Sequence, residues 1–149
     1  MRVFDWEEGK RDTGIAASRA AVLRSEGVPV PCVWSAQNVK VPQIDHCFPW
    51  ARWLNNDLWN LLPTSAAVNG SKGDKLPSAS AMSDAHQRII DWWQHAYVDS
   101  PLKNKFLLEA GSSLPKLVDG EPELEDIYLA ILHQRARLKA DQQLVEWCV

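Results

Sequence analysis

Apolar positions recur at helical spacing near both ends of the chain, and in short broken runs between them. In residues 12–27, Ile15, Val22 and Leu23 carry the spacing, Asp12 or Thr13 stands where a cap belongs, and Gly27 suits the position just past a helix end. A helix is predicted there. Pro29 and Pro31 then break the chain and introduce a central block. Within it, "VKVPQIDH" and "DLWNLLPTS" read as two strands around an irregular loop, and "AAVNGSKGDKL" as a short helix or helical turn. From Ser83 onward the pattern is helical again. Ser83 would cap a helix carrying Ile89, Ile90, Trp92, Trp93 and Tyr97; Ser100-Pro101 opens a second, ending near Gly111. Glu121-Pro122 opens a third, striped by Leu124, Ile127, Tyr128, Ile131, Leu132 and Leu138. No repeat or low-complexity segment interrupts this order.

Composition narrows the class. A chain of 149 residues, 46% hydrophobic and 23% charged, suits one globular domain over 1–149. Its parts are a helical lead-in (1–30), a central core (31–80) and a helical extension (81–149). No apolar run approaches the length of a membrane span, and the N-terminal acids do not fit a secretory leader, so a soluble cytoplasmic protein without membrane association is expected. Cys32, Cys47 and Cys148 are an odd set without framework spacing, which favours free thiols. The net charge of -3 argues against a simple polyanion binder. Residues 81–149 hold seven Lys/Arg against eleven Asp/Glu, whereas the central block is close to neutral and able to approach a phosphate backbone.

The central block also holds the chemistry. Hydrolysing a phosphodiester near neutral pH needs a base for water and a cation for the charge growing on the phosphorus oxygens and the leaving oxygen. His46 is the one histidine of the block, and an imidazole titrating near ~6.5 can accept water's proton. Asp45 offers a hard carboxylate oxygen and Asn69 a hard amide oxygen, a pair suited to Mg²⁺ or Mn²⁺ with positions left for water and phosphate. Adjacent strand residues point to opposite faces, so a bend at the strand end is needed for Asp45 and His46 to share a site. Asn60 could brace the loop or fix the histidine's tautomer. Lys72, Lys75 and Arg52 are the cations available for phosphate contacts.

"IDH", "DLWNLLP" and "VNGSKGDKLPS" together resemble the HNH endonuclease family, in the form where asparagine replaces the last histidine. That resemblance covers residues 32 to about 78. It implies an α+β fold with a ββα-metal core, Asp45 and Asn69 as metal ligands, and a catalytic pair of His46 as general base and Asn60 as the loop-shaping residue. It also implies metal-dependent cleavage of DNA, duplex or displaced single strand, leaving 5'-phosphate and 3'-hydroxyl ends. Many members carry a structural zinc on two Cys-x-x-Cys pairs. The corresponding positions here are Cys32 with Ser35 and Ser65 with Val68, so no structural zinc is expected, and Trp34, Trp50, Trp53 and Trp59 offer apolar packing instead.

Structural readings account for the remaining motifs. His86, His95 and His133 lack ligand spacing, Asn55-Asn56-Asp57 suits turn chemistry with an acid that could face the metal, and Trp92-Trp93 suits a core or docking face. Two alternatives stay open beside an autonomous nuclease. One is a catalytically idle ββα module that binds nucleic acid or scaffolds. The other is a nuclease subunit of a larger protein or ribonucleoprotein assembly, such as a restriction, CRISPR-type or other phage-defence complex, which the acidic helical tail favours.

Overall fold

The computed structural model describes residues 10–115, 117 and 120–149; Asp5, Glu7 and Glu8, the acids that speak against a leader, lie outside these. Helix α1 (Gly14–Ser25) leads to an antiparallel hairpin of β1 (Gln43–His46) and β2 (Leu61–Thr64), and then to α2 (Ala66–Lys72). There follow β3 (Leu76–Pro77), α3 (Ala79–Trp93), α4 (Lys103–Ser113), α5 (Leu124–Gln142) and β4 (Glu146–Trp147). The class is α+β. Among the described residues, no helix is long and apolar enough to cross a membrane.

Local chemistry explains most element ends. Thr13 stands at the N-cap of α1 without a side-chain bond, and the Asp12 carboxylate just before it accepts from Gly14 N at 3.1 Å. Gly27, at φ 81°, turns the chain after Glu26 with Gly27 N donating to Arg24 O and Val28 N to Leu23 O. The inward face of α1 differs from the expectation. It is Ala16, Ala20 and Leu23 that are buried, whereas Ile15 and Val22 are 41% and 39% exposed, because small side chains let this helix lie close to the sheet. Helix α3 begins earlier than Ser83: the Ser78 hydroxyl accepts from Ala81 N at 3.0 Å, and Ala81, Met82 and Ala85 extend the buried stripe of Ile89, Trp92 and Trp93 backwards. The α5 stripe is packed inward, with Ile127, Tyr128, Ile131 and Leu138 buried and Tyr128 Oη donating to Met82 O of α3 at 2.8 Å. Asp126 accepts from Glu123 N at 2.9 Å and so closes the start of α5.

The hairpin sits at the centre of the core. Register pairs Gln43 with Thr64, Asp45 with Leu62 and His46 with Leu61, and all four residues of β2 are buried. The outer edge of β2 would leave carbonyls unmet. Val33 N donates to Pro63 O at 3.0 Å, and the indoles of Trp92 and Trp93 donate to Leu61 O and Trp59 O at 2.9 and 3.3 Å. The tryptophan pair therefore belongs to the core. On the far side, the short parallel pair β3–β4 brings residues 144–147 back beside α2. Arg135 of α5 fastens it, donating to Pro77 O at 2.8 Å and Glu146 Oε2 at 2.7 Å.

Candidate active site

Strand β1 ends at His46, and the chain bends at Cys47 and Phe48. A cleft of about 390 Å³ opens there between β1, α2 and residues 11–13, lined among others by Arg11, Gln43, Asp45, His46, Asn69 and Asp74. Asp45 and His46 both line this concavity although they are neighbours on a strand.

Asp45 is only 5% exposed and is held from behind. Trp34 Nε1 donates to its Oδ2 at 3.1 Å, and Lys72 Nζ lies 3.2 Å from the same oxygen and 3.4 Å from Oδ1. The Lys72 ammonium also donates to His46 O at 2.9 Å. This corrects one expectation. Lys72, read from the sequence as a phosphate contact, is wholly buried, because the last turn of α2 points its side chain under β1 rather than into solvent. A buried carboxylate without a counter-charge is expensive, and this lysine supplies it.

The His46 imidazole is set by a residue expected only to turn the chain. Asn56 Oδ1 lies 2.9 Å from His46 Nε2, and the Trp50 ring sits 5.4 Å from the imidazole, centroid to centroid, tilted by 56°. Burial pushes the His46 pKa below its ordinary value; hydrogen bonding to Asn56 and the charge of Asp45 pull it up, while Arg11 and Lys72 push it down further. A neutral imidazole, the form a base requires, prevails at neutral pH.

Asn60 is fully buried and shares no hydrogen bond with His46 among the described residues. Its Oδ1 accepts from Phe48 N at 2.9 Å and its Nδ2 donates to Asn55 O at 3.0 Å, so one amide ties together the two ends of the loop after β1. Asp57 faces away from the cleft, accepting from Trp59 Nε1 at 3.0 Å and from Ser113 Oγ of α4. Cys47, next to His46, is no nucleophile, since burial pushes its thiol up to about 12.

Asn69 lies across the cleft on α2, its Nδ2 donating to Gln43 Oε1 at 2.9 Å. Among the described residues no donor engages Asn69 Oδ1, and Asp45 Oδ1 carries only the long contact from Lys72. Two hard oxygens with lone pairs to spare fit a divalent cation of the Mg²⁺ kind, which needs few protein ligands. Among the described residues no group of three or more His, Cys, Asp or Glu side chains is placed to hold a metal, so the donor set is one carboxylate plus an amide. Lys75 and Arg52 are exposed, and neither lines the cleft.

The four positions of the zinc pairs converge on other bonds. Ser35 N donates to Cys32 Sγ at 3.4 Å, Cys32 Sγ faces Thr64 Oγ1 at 3.7 Å, and the Ser65 hydroxyl caps α2 by accepting from Val68 N at 3.2 Å. Burial raises the Cys32 thiol, but hydrogen bonds from Ser35 and Ser65 outweigh it and leave the pKa below its ordinary value. Of the tryptophans expected to supply apolar packing, Trp59 is fully buried against Phe48, and Trp53 stacks on Phe48 at 5.9 Å. Full burial of a side chain such as Phe48 contributes about 1.5–3 kcal/mol.

Arg11 and Asn56 are what sequence reasoning missed. Neither has a motif signal: Arg11 lies just before α1 and 35 positions from His46 in the chain, and Asn56 looks like any turn residue. No curated protein matches the chain. The segment that builds most of this cleft, residues 35–78, matches the family model described as HNH endonuclease, a match that points to nuclease activity and nucleic-acid binding in general terms.

Proposed function

We propose that this protein is a divalent-metal-dependent endonuclease that hydrolyses DNA phosphodiester bonds at the cleft beside β1. One observation carries the reading: His46 lines a single cleft together with Asp45, Asn69 and Arg11. In this reading, His46 takes the proton of the attacking water. With Nε2 engaged by Asn56, the acceptor is Nδ1, which has no other partner among the described residues. Arg11, exposed at the cleft wall, binds the non-bridging oxygens of the scissile phosphate in the place first assigned to Lys72. Asp45 and Asn69 would hold Mg²⁺ or Mn²⁺, which when bound stabilises charge on the phosphorus oxygens and the leaving 3' oxygen. Lys72 keeps Asp45 in place from behind, and Asn60 keeps the loop shaped. Lys75 follows Asp74, a cleft residue, and serves as a backbone contact beside the scissile position; Arg52 serves farther out.

With a net charge of -3, the chain can neutralise few phosphates unaided, which supports recruitment by a partner within a larger assembly, a phage-defence complex among them. The test is incubation with plasmid, single-stranded DNA and RNA in Mg²⁺, Mn²⁺ or EDTA. Cleavage of DNA that EDTA abolishes is expected. Intact DNA in every metal, with retained binding, would favour the idle binding module instead.

A further inference from the structure

The Asn56 side chain is tied at three points, and two of them leave no freedom in how it is oriented. Asp12 N donates to Asn56 Oδ1 at 3.0 Å, and Asn56 Nδ2 donates to Lys10 O at 2.8 Å. A main-chain N–H can only donate and a main-chain carbonyl can only accept, so the oxygen and nitrogen of this amide cannot be exchanged. The atom 2.9 Å from His46 Nε2 is therefore the oxygen, an acceptor. It follows that His46 Nε2 bears the hydrogen. In the neutral ring Nδ1 must then hold the lone pair.

Among the described residues no hydrogen bond engages His46 Nδ1, and His46 lines the cleft.

We propose that Asn56 is a positioning residue that holds His46 in the Nε2–H tautomer and so presents Nδ1 as the proton acceptor of the cleft. The catalytic meaning rests on the nuclease reading; the tautomer itself does not. The same amide clamps residues 10–12 to the loop as a neighbouring strand would, through one N–H and one carbonyl. Arg11, between those two contacts, is thereby carried to the cleft wall. One side chain thus aligns the base and the phosphate-binding cation. A plain turn role accounts for neither the three bonds nor their polarity.

The test reads the tautomer directly. Protein labelled with ¹⁵N-histidine is studied by long-range ¹H–¹⁵N spectroscopy at about pH 8.5, where an imidazole is neutral, and the His46→Gln spectrum identifies the His46 signals. A pyrrole-type Nε2 and a pyridine-type Nδ1 are expected in the wild type. Asn56→Asp, which keeps an acceptor oxygen, should preserve that pattern; Asn56→Ala should replace it with averaged shifts. In cleavage assays, Asn56→Ala should lower kcat about 10–100-fold, and Asn56→Asp should recover most of the loss. An Nδ1–H tautomer in the wild type overturns the assignment without recourse to any variant. So does an unchanged His46 pattern in Asn56→Ala, whether or not kcat falls. Should the tautomer respond as expected while no nucleic acid is cleaved, Asn56 stands as the positioning residue and the nuclease reading alone falls.

Discussion

Replacing Lys72 by methionine tests whether that lysine serves the fold or the substrate. Methionine is unbranched and close in length, so little cavity forms and the change removes chiefly the ammonium. Two partners lose it: Asp45, left in a 5% exposed position with the Trp34 indole N–H as its one remaining donor among the described residues, and His46 O, which loses a 2.9 Å charge-assisted bond. Removing one member of a buried pair costs about 3–5 kcal/mol, mostly for the charge left behind. With a urea slope of ~2 kcal/mol/M, the unfolding midpoint should fall by about 1.5–2.5 M. Lys75→Met, at an exposed position, should stay within about 0.5 kcal/mol of wild type. The double variant Lys72→Met with Asp45→Asn removes both charges, and should recover about 1–3 kcal/mol relative to the sum of the single changes. Equilibrium unfolding in urea, followed by tryptophan fluorescence, measures the wild type, the three single variants (Asp45→Asn among them) and the double variant. A midpoint shift of Lys72→Met no larger than that of Lys75→Met, joined to weaker DNA binding, would refute the buried-pair argument and return Lys72 to the substrate.

Other outcomes follow from the same geometry. His46→Ala should lower turnover by about 10² to 10⁴ while leaving metal affinity nearly intact, as isothermal titration with Mn²⁺ would record; wild-type turnover would remove His46 from the mechanism. Asp45→Asn should weaken Mn²⁺ binding in the same titration, and unchanged affinity would place the metal elsewhere. Arg11→Ala should raise KM for DNA and flatten the salt dependence by about one phosphate contact, with the melting temperature unchanged; a constant KM would exclude Arg11 from the phosphate. Protein purified without added metal should contain well under one zinc per chain, since Ser65 spends its hydroxyl on Val68 N and Cys32 is the lone thiolate candidate among the four positions. Stoichiometric zinc by elemental analysis would contradict this.

What the amino-acid sequence determined by itself is what short-range chemistry controls. Helix α1 with Asp12 before it and Gly27 after it, the hairpin, α2, and the buried stripe of α5 are all written in caps, breakers and periodicity within a turn or two. Asp45, His46, Asn60 and Asn69 stand out in the sequence because their spacing is itself a linear pattern; the structure brings Asp45, His46 and Asn69 to one cleft and puts the Asn60 amide behind it, on the loop. The start of α3 was misplaced by a few residues since Ser78 and Ser83 are both competent caps, and only burial of Ala81 and Met82 separates them. Everything that turned on partners distant in the chain needed the tertiary structure. Lys72 and Arg11 are both cations to a sequence; packing sends one under β1, 27 positions from Asp45, and leaves the other at the cleft wall. Asn56 became a positioning residue only when residues 10–12, more than forty positions away, were laid against it. The parallel pair β3–β4 is two residues long on each strand, too short to show any alternation, and exists because Arg135 and the buried Trp147 hold it. Burial and counter-charge are properties of a three-dimensional neighbourhood, and no local pattern encodes which of several like side chains will find one.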